Sequence, residues 1–519
     1  MPILTLLQQS WQELHKITFI PLLPLLFLFS FLYVFKRIRR SGKPNLPPSP
    51  PKLPIIGNLH KLGSLPHRSL QALSKKYGPV MFFYFGHAPT LVLSSANMAR
   101  EMMTTHDILF SNRSKTTATN FLLYGCTDLV FAPYGEYWRQ VRKICVLELL
   151  TLKRVQSFQN TREEEVSILI NKVRDSCLKG VSINLSEILI ETSKNIVTRC
   201  AFGKKFEEED GKGRFSELPR KLAVLLTTFF WRDFFPSLGW IDILTGKIAS
   251  LKSTFGELDA FLNEVVEEHK TMKSDDEHPK NKDFVDILLH LQKNGMLDFE
   301  LTHDNLKAIL LDMFAGGSET TSTTLEWVMA ELMKNPSIMK RAQVEVRRVV
   351  GNKSKIDLND INQMDYLKCI LKEGLRLHPP VPLSVPRETS ASLQFGGYDI
   401  PPKTRVFVNI WAIQRDPKLW DRPEEFLPER FKDNHIDFIG QNFQFLPFGG
   451  GRRGCPGLIF AVASLEYVLA NLLCWFDWRL PTINAQGEAL DMTEVNAITA
   501  FKKNPLHLVP TLHSSLSIH

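Results

Sequence analysis

The stretch "PFGGGRRGCPG", residues 447–457, sets Gly449, Gly451 and Gly454 at G-x-G-x-x-G spacing and adds two arginines and a cysteine. Two chemistries compete for it. A glycine loop of this kind cradles a pyrophosphate when a strand precedes it, a helix opens on it and an acid for the ribose follows about 20 residues on. Pro447 compromises the strand and Pro456 stands where the helix would start. The stretch 459–473 is apolar, with Glu466 its only acid, and no second strand follows. The dinucleotide reading fails.

The alternative aims one sulfur at a metal. Glycines let a loop fold tightly with successive N–H groups pointing inward, which favours a thiolate. A thiolate so placed is a strong axial ligand to iron. Arg453, two residues before Cys455, has a guanidinium fork suited to a carboxylate, and Phe448 is placed to shield the sulfur from water.

These residues match a known pattern. Phe448, Gly451, Arg453, Cys455 and Gly457 resemble the F-x-x-G-x-R-x-C-x-G haem loop of cytochromes P450, and other landmarks follow in family order. "KEGLR" supplies Glu373 and Arg376, on one helix face by their i,i+3 spacing. "PERF" supplies Arg430, which the resemblance makes the third member of a Glu–Arg–Arg network behind the haem. "WRQVR" places Trp138 and Arg142 one helical turn apart, so that an indole N–H and a guanidinium face the haem propionates together. Arg387 in "SVPRE" matches a further family arginine that reaches a propionate. "GGSETT", residues 316–321, matches the oxygen-activation motif, with Thr320 bonding the distal oxygen and water and Glu319 relaying protons inward. The resemblance runs along the whole chain and is closest to the plant microsomal enzymes of family 71.

The resemblance implies a mainly α fold with small β-sheets, a helix-rich triangular body built around haem b with Cys455 as the iron's axial ligand. It implies a monooxygenase that inserts one oxygen atom of O2 into a lipophilic plant metabolite: a terpenoid, a phenylpropanoid or coumarin, an alkaloid or an aldoxime. NADPH is the electron source through a cytochrome P450 reductase and is not bound by this chain. The basic residues Arg139, Lys143, Lys153 and Arg154 are a candidate docking face for that partner. Substrate contacts are expected in 116–123, 229–240, 309–315, 383–385 and 498–499. Two alternatives stay open: a haem-thiolate isomerase or dehydratase that uses no O2, which retention of Thr320 disfavours, and a non-catalytic haem binder.

Composition agrees with a large soluble body and excludes other classes. The 519 residues are 44% hydrophobic and 23% charged, with a net charge of +8 from 63 basic and 55 acidic residues. The basic residues are scattered, with no tract or motif for nucleic acid. Mild basicity suits an anionic membrane surface or an acidic protein partner. Seven cysteines without a CxxC are expected to be reduced, most of them buried. The reading needs no oligomer.

The N-terminal region has its own signature. Residues 18–35, "TFIPLLPLLFLFSFLYVF", carry no charge and come near the lower limit of ~17–25 residues needed to span a bilayer. Lys36, Arg37, Arg39, Arg40 and Lys43 follow it, which by the positive-inside rule puts the rest of the chain in the cytosol. The expected organisation is a short lumenal segment 1–17, an anchor 18–35, a basic and proline-rich hinge 36–54, and a catalytic domain 55–519, held on the endoplasmic reticulum by one span.

Along the body, 79–95 reads as a β-hairpin and 98–105, 137–150, 163–173, 255–269 and 305–333 as helices. Short β signals return at 392–400 and 499–509. The helix from 305 is expected to loosen at Gly316 and Gly317, each costing roughly 1 kcal/mol against Ala. "WRDFFPSLGW", residues 231–240, reads equally as core or as an aromatic lip at a membrane surface.

Overall fold

The computed structural model describes residues 27–30, 44–205, 218–271, 282–294, 297, 299–481 and 490–513. Of the expected anchor 18–35, only Phe27–Ser30 are among them, as a single helical turn; the rest of that expectation lies outside the described residues, as does the charged loop 272–281. The chain divides into a small unit, Met1–Pro47 with Gly397–Asp399, and a large unit of Pro48–Gly396 and Ile400–His519. Within the small unit, the Asn45 N–H donates to Asp399 Oδ2 at 2.7 Å.

The large unit is helix-dominated, with short strands gathered into small sheets. The hairpin forms where alternation predicts it: Val80–Phe85 pairs antiparallel with Ala88–Leu93, and Arg405–Val408 adds in parallel to Ala88–Leu93. Arg387–Glu388 closes that sheet's far side, which fixes Arg387 at a sheet edge. The C-terminal strand His507–Leu512 pairs with Phe476–Arg479 and with Ile183–Asn184.

The long helix His303–Lys334 is the axis of the body. Thr302 caps it through a reciprocal pair: its hydroxyl accepts from Asn305 N–H, and Asn305 Oδ1 accepts from Thr302 N–H. Its N-terminal half, Leu306 to Phe314, enters one hydrophobic cluster, and its C-terminal half, from Leu325 to Leu332, enters another. The small and hydroxylated residues between them belong to neither. The expected loosening does not occur, and the helix stays continuous through both glycines. The glycines instead permit close approach. A Cβ on Gly317 would come within 2.9 Å of Val197 Cγ2 on the helix Leu185–Phe202, whereas Gly316 faces open space.

Two further helices exceed their expected limits. Residues 255–269 extend to Lys247–Thr271, and 163–173 to Gln159–Lys179. The stretch 137–150 ends its regular α geometry at Ile144 and continues as a π-turn, Cys145–Leu149. Within the stretch 231–240, Phe235 is buried, while Trp240 is 55% exposed beside Ile243 and Leu244. The helix Leu458–Trp475 is apolar enough to cross a membrane by length and composition, yet most of it is buried in the body as a core helix.

Candidate haem-thiolate site

The glycine loop meets the long helix across an internal cavity of about 290 Å³. No strand precedes the loop; it tightens into a single 3-10 turn, Gly451–Arg453, before the helix Leu458–Trp475. Gly449 and Gly451 have φ of +68° and +64°, a conformation that strains any residue with a Cβ. The Cys455 N–H donates to Phe448 O at 2.9 Å. All seven cysteines are free thiols, and Cys455 is the one whose side chain is open, because it lines the cavity wall. Burial pushes its thiol pKa up, against the opposing pull of the Gly457 N–H and of Arg142. The Gly457 N–H thus favours the thiolate as a glycine nest is expected to, and a metal cation bound at the sulfur would favour it further.

Four guanidinium groups line the same cavity: Arg113, Arg142, Arg387 and Arg453. Arg387 donates to Asp107 Oδ1 at 3.1 Å and to Gly450 O at 2.7 Å. Arg142 donates to Gly454 O at 2.8 Å, one of its five N–H donors. Arg453 reaches the carbonyls of Ser111, Leu129 and Ala132 and lies 4.1 Å from the Trp138 ring centre. Burial lowers its pKa to about 9, and Arg387 and Arg142 repel it further while Asp128 opposes them. Among the described residues only Arg387 of the four is ion-paired, to Asp107, and cations in this excess call for an anionic ligand. A porphyrin with two carboxylates and an iron fits this donor set: one sulfur for the metal, guanidinium groups for the carboxylates, and an apolar lining for the ring.

Of the residues read from the sequence, Cys455, Arg453, Phe448, Arg142, Arg387 and Thr320 line the cavity. Trp138 does not, and its indole N–H, expected to face a propionate, donates instead to Leu129 O at 3.0 Å. Thr320 Oγ1 donates to Gly316 O at 2.6 Å. Glu319, one position earlier, does not line the cavity, and burial raises its carboxyl to about 7, with Arg220 pulling it down. Of the expected substrate stretches, 309–315 and 383–385 contribute to the lining; 116–123, 229–240 and 498–499 do not. Arg139, placed in the candidate docking face, is exposed and paired with Glu136.

Glu373, Arg376 and Arg430 meet as expected. Arg376 Nε and Nη2 donate to the two Glu373 oxygens at 2.7 and 2.9 Å, and Arg430 Nε donates to Glu373 Oε1 at 3.0 Å. Two site residues escaped the sequence reading, Arg113 and Asp107, and Asp312 was covered only as part of the stretch 309–315, with no role for its charge. Arg113 and Asp107 stand in a stretch without a motif, and only the fold brings them to the cavity rim.

Comparison with known proteins agrees with this geometry. The cytochrome P450 family model matches residues 47–501. The chain is 53% identical over 527 residues to a phenylacetaldehyde oxime monooxygenase of Prunus mume, covering 99% of this chain and 100% of that one. It is also 53% identical to cytochrome P450 71A1 of Persea americana, over 88% of this chain and 92% of that one. A zebra fish cytochrome P450 solved with abiraterone superposes with a TM-score of 0.73 at 28% identity, covering 87% of this chain and 100% of that one. The protein is therefore a haem-thiolate monooxygenase with plant relatives in specialised metabolism, and the chain belongs to the cytochrome P450 family.

Proposed function

We propose that this monooxygenase oxidises a lipophilic plant specialised metabolite, a terpenoid, phenylpropanoid or coumarin, alkaloid or aldoxime, with NADPH electrons delivered by a separate reductase. One observation carries the reading: a single open sulfur, Cys455, shares an apolar cavity with Thr320 and four arginines. When bound, the haem supplies reductive activation of O2, with one oxygen atom going to a C–H or C=C bond and the other leaving as water.

The chain's residues supply the rest. Cys455 would hold the iron, and Arg113, Arg142, Arg387 and Arg453 would neutralise the porphyrin carboxylates. The Thr320 hydroxyl, its proton committed to Gly316 O, keeps its lone pairs free to hold a water or a proton donor above the ring. Glu319 stands next to it with a carboxyl poised to exchange protons near neutrality. Met313, Val385 and Phe460 keep the lining apolar, which suits a lipophilic substrate and excludes bulk water.

We place the catalytic body in the cytosol behind an N-terminal anchor at residues 18–35 in the endoplasmic reticulum membrane. The test is a library of plant lipophiles incubated with the full chain, a plant reductase and NADPH, read by mass. A gain of one oxygen atom, dependent on NADPH and O2, is the expected result. Turnover that persists without NADPH would favour an isomerase or dehydratase instead.

A further inference from the structure

Residues 128–132 form a short loop beside the cavity whose backbone is held from both sides. On the donor side, the Leu129 and Val130 N–H groups donate to Asp312 Oδ2 at 2.6 and 3.3 Å, and the Phe131 N–H donates to Asp128 Oδ2 at 2.7 Å. On the acceptor side, Leu129 O takes Trp138 and Arg453, Val130 O takes Arg113, and Ala132 O takes Arg453 again. Two acids thus grip the loop by its amides, and two cavity arginines grip it by its carbonyls.

The acid side is short of one donor. Asp128 is fully buried, and its Oδ1 has no hydrogen-bond partner. Asp128 and Asp312 take the N–H groups of three consecutive residues, Leu129 to Phe131, which brings the two carboxyl groups together on one side of the loop. An ionised carboxylate only accepts, so two of them brought together leave both oxygens unsatisfied and both charges repelling. A single proton between them removes both defects.

We propose that Asp128 and Asp312 form a carboxylic acid–carboxylate pair sharing one proton, and that this pair positions the 128–132 loop, and through it Arg113 and Arg453, at the rim of the haem cavity. Asp312 lies on the long helix one turn before Gly316 and two turns before Thr320, so the same helix face carries the pair and the oxygen-side residues. Asp128 and Asp312 are positioning residues in this account. They act through the loop, and neither holds iron.

Burial, and for Asp312 the neighbouring Asp128, raise both carboxyls above their ordinary range. The groups that face the pair are Arg453 and Arg113, which attract it, and Tyr137, Cys145 and Cys126, all held neutral by burial. The sign follows. Groups whose pKa is raised on folding stabilise the native loop at low pH, and that contribution is lost as pH rises and the shared proton leaves.

The test is amide hydrogen exchange of peptides covering 128–132 in the full-length protein, corrected for intrinsic rates and followed from about pH 6 to about pH 9. In the wild type, protection should fall as pH rises. In Asp312→Asn, the amide oxygen still accepts from Leu129 and Val130 while its NH2 replaces the shared proton, so protection should persist and lose its pH dependence. In Asp312→Ala, two amide bonds disappear and protection should drop about tenfold or more. Arg453 is present in all three proteins, so its own titration cannot produce a difference among them. Infrared difference spectra of wild type minus Asp312→Asn provide a readout that does not depend on the alanine variant folding: a protonated-carboxyl band at neutral pH that the wild type has over the background common to both proteins from other buried acids such as Glu319. Superimposable exchange profiles for wild type and Asp312→Asn, or no such band in the difference spectra, overturn the proposal.

Discussion

Replacing Glu373 by alanine tests the reasoning about the buried charge network most directly. Arg376 and Glu373 are both completely inaccessible to solvent. All five Arg376 donors are used: two on Glu373, and three on the carbonyls of Gln414, Pro423 and Glu425 at 2.8, 2.7 and 3.1 Å. Glu373 Oε1 also accepts the Leu427 N–H at 2.8 Å. The truncation strands a buried guanidinium and the Leu427 amide at once. Breaking one partner of a buried pair costs about 3–5 kcal/mol, a large share of the roughly 5–15 kcal/mol that separates folded from unfolded protein. Glu373→Gln keeps the shape but loses the charge-assisted bonds, and should cost about 1.5–3 kcal/mol. Arg430→Ala should cost least, because that side chain is 11% exposed and water can replace part of what it loses. Urea unfolding followed by tryptophan fluorescence reads the order, since Trp420 lies 5.2 Å from the Arg376 guanidinium. A Glu373→Ala midpoint equal to wild type, or one milder than that of Arg430→Ala, would refute the argument.

Three further outcomes follow from the site. Cys455→Ser should abolish the thiolate-type absorption band of the reduced, carbon monoxide-bound protein while leaving the helical circular dichroism intact; a surviving band removes Cys455 from the iron. Gly451→Ala forces a Cβ into a backbone with φ of +64° and to within 2.8 Å of Asp107 Oδ1. It should cost about 1–3 kcal/mol and weaken haem retention through the Asp107–Arg387 pair, visible as a lower thermal midpoint and a reduced haem-to-protein ratio. Glu319 is neutral below about 7 and ionised above it. As a proton donor it should make product formation decline as pH rises through that value, and Glu319→Gln should erase the inflection; an unchanged profile excludes it.

Much of this site is readable as local pattern. The loop at 447–457 identifies its own chemistry because a thiolate ligand, the glycines that let it approach and the neighbouring arginine are contiguous. Glu373 and Arg376 are equally legible, since i,i+3 spacing on a helix settles their contact. Trp138 was misread for the complementary reason. Its position one turn from Arg142 is correct, but the direction of its N–H depends on where Leu129 O sits, and that belongs to another segment. The glycines at 316–317 read as a weak point that lets something approach the backbone; the helix stays continuous, and it is Gly317 alone that lets Val197 come close.

The sequence alone determines most element types, the candidate sulfur ligand, the Glu–Arg pair and the family, because each rests on residues close together along the chain. Only the tertiary structure decides the electrostatics of the cavity. Asp107, Arg113 and Asp128 come from one stretch of the chain and Asp312, Arg387 and Arg453 from others far along it, and their charges matter only because folding removes water from between them. Low dielectric and short distance turn ordinary acids and arginines into an interdependent set, and neither quantity is written in a linear order of residues.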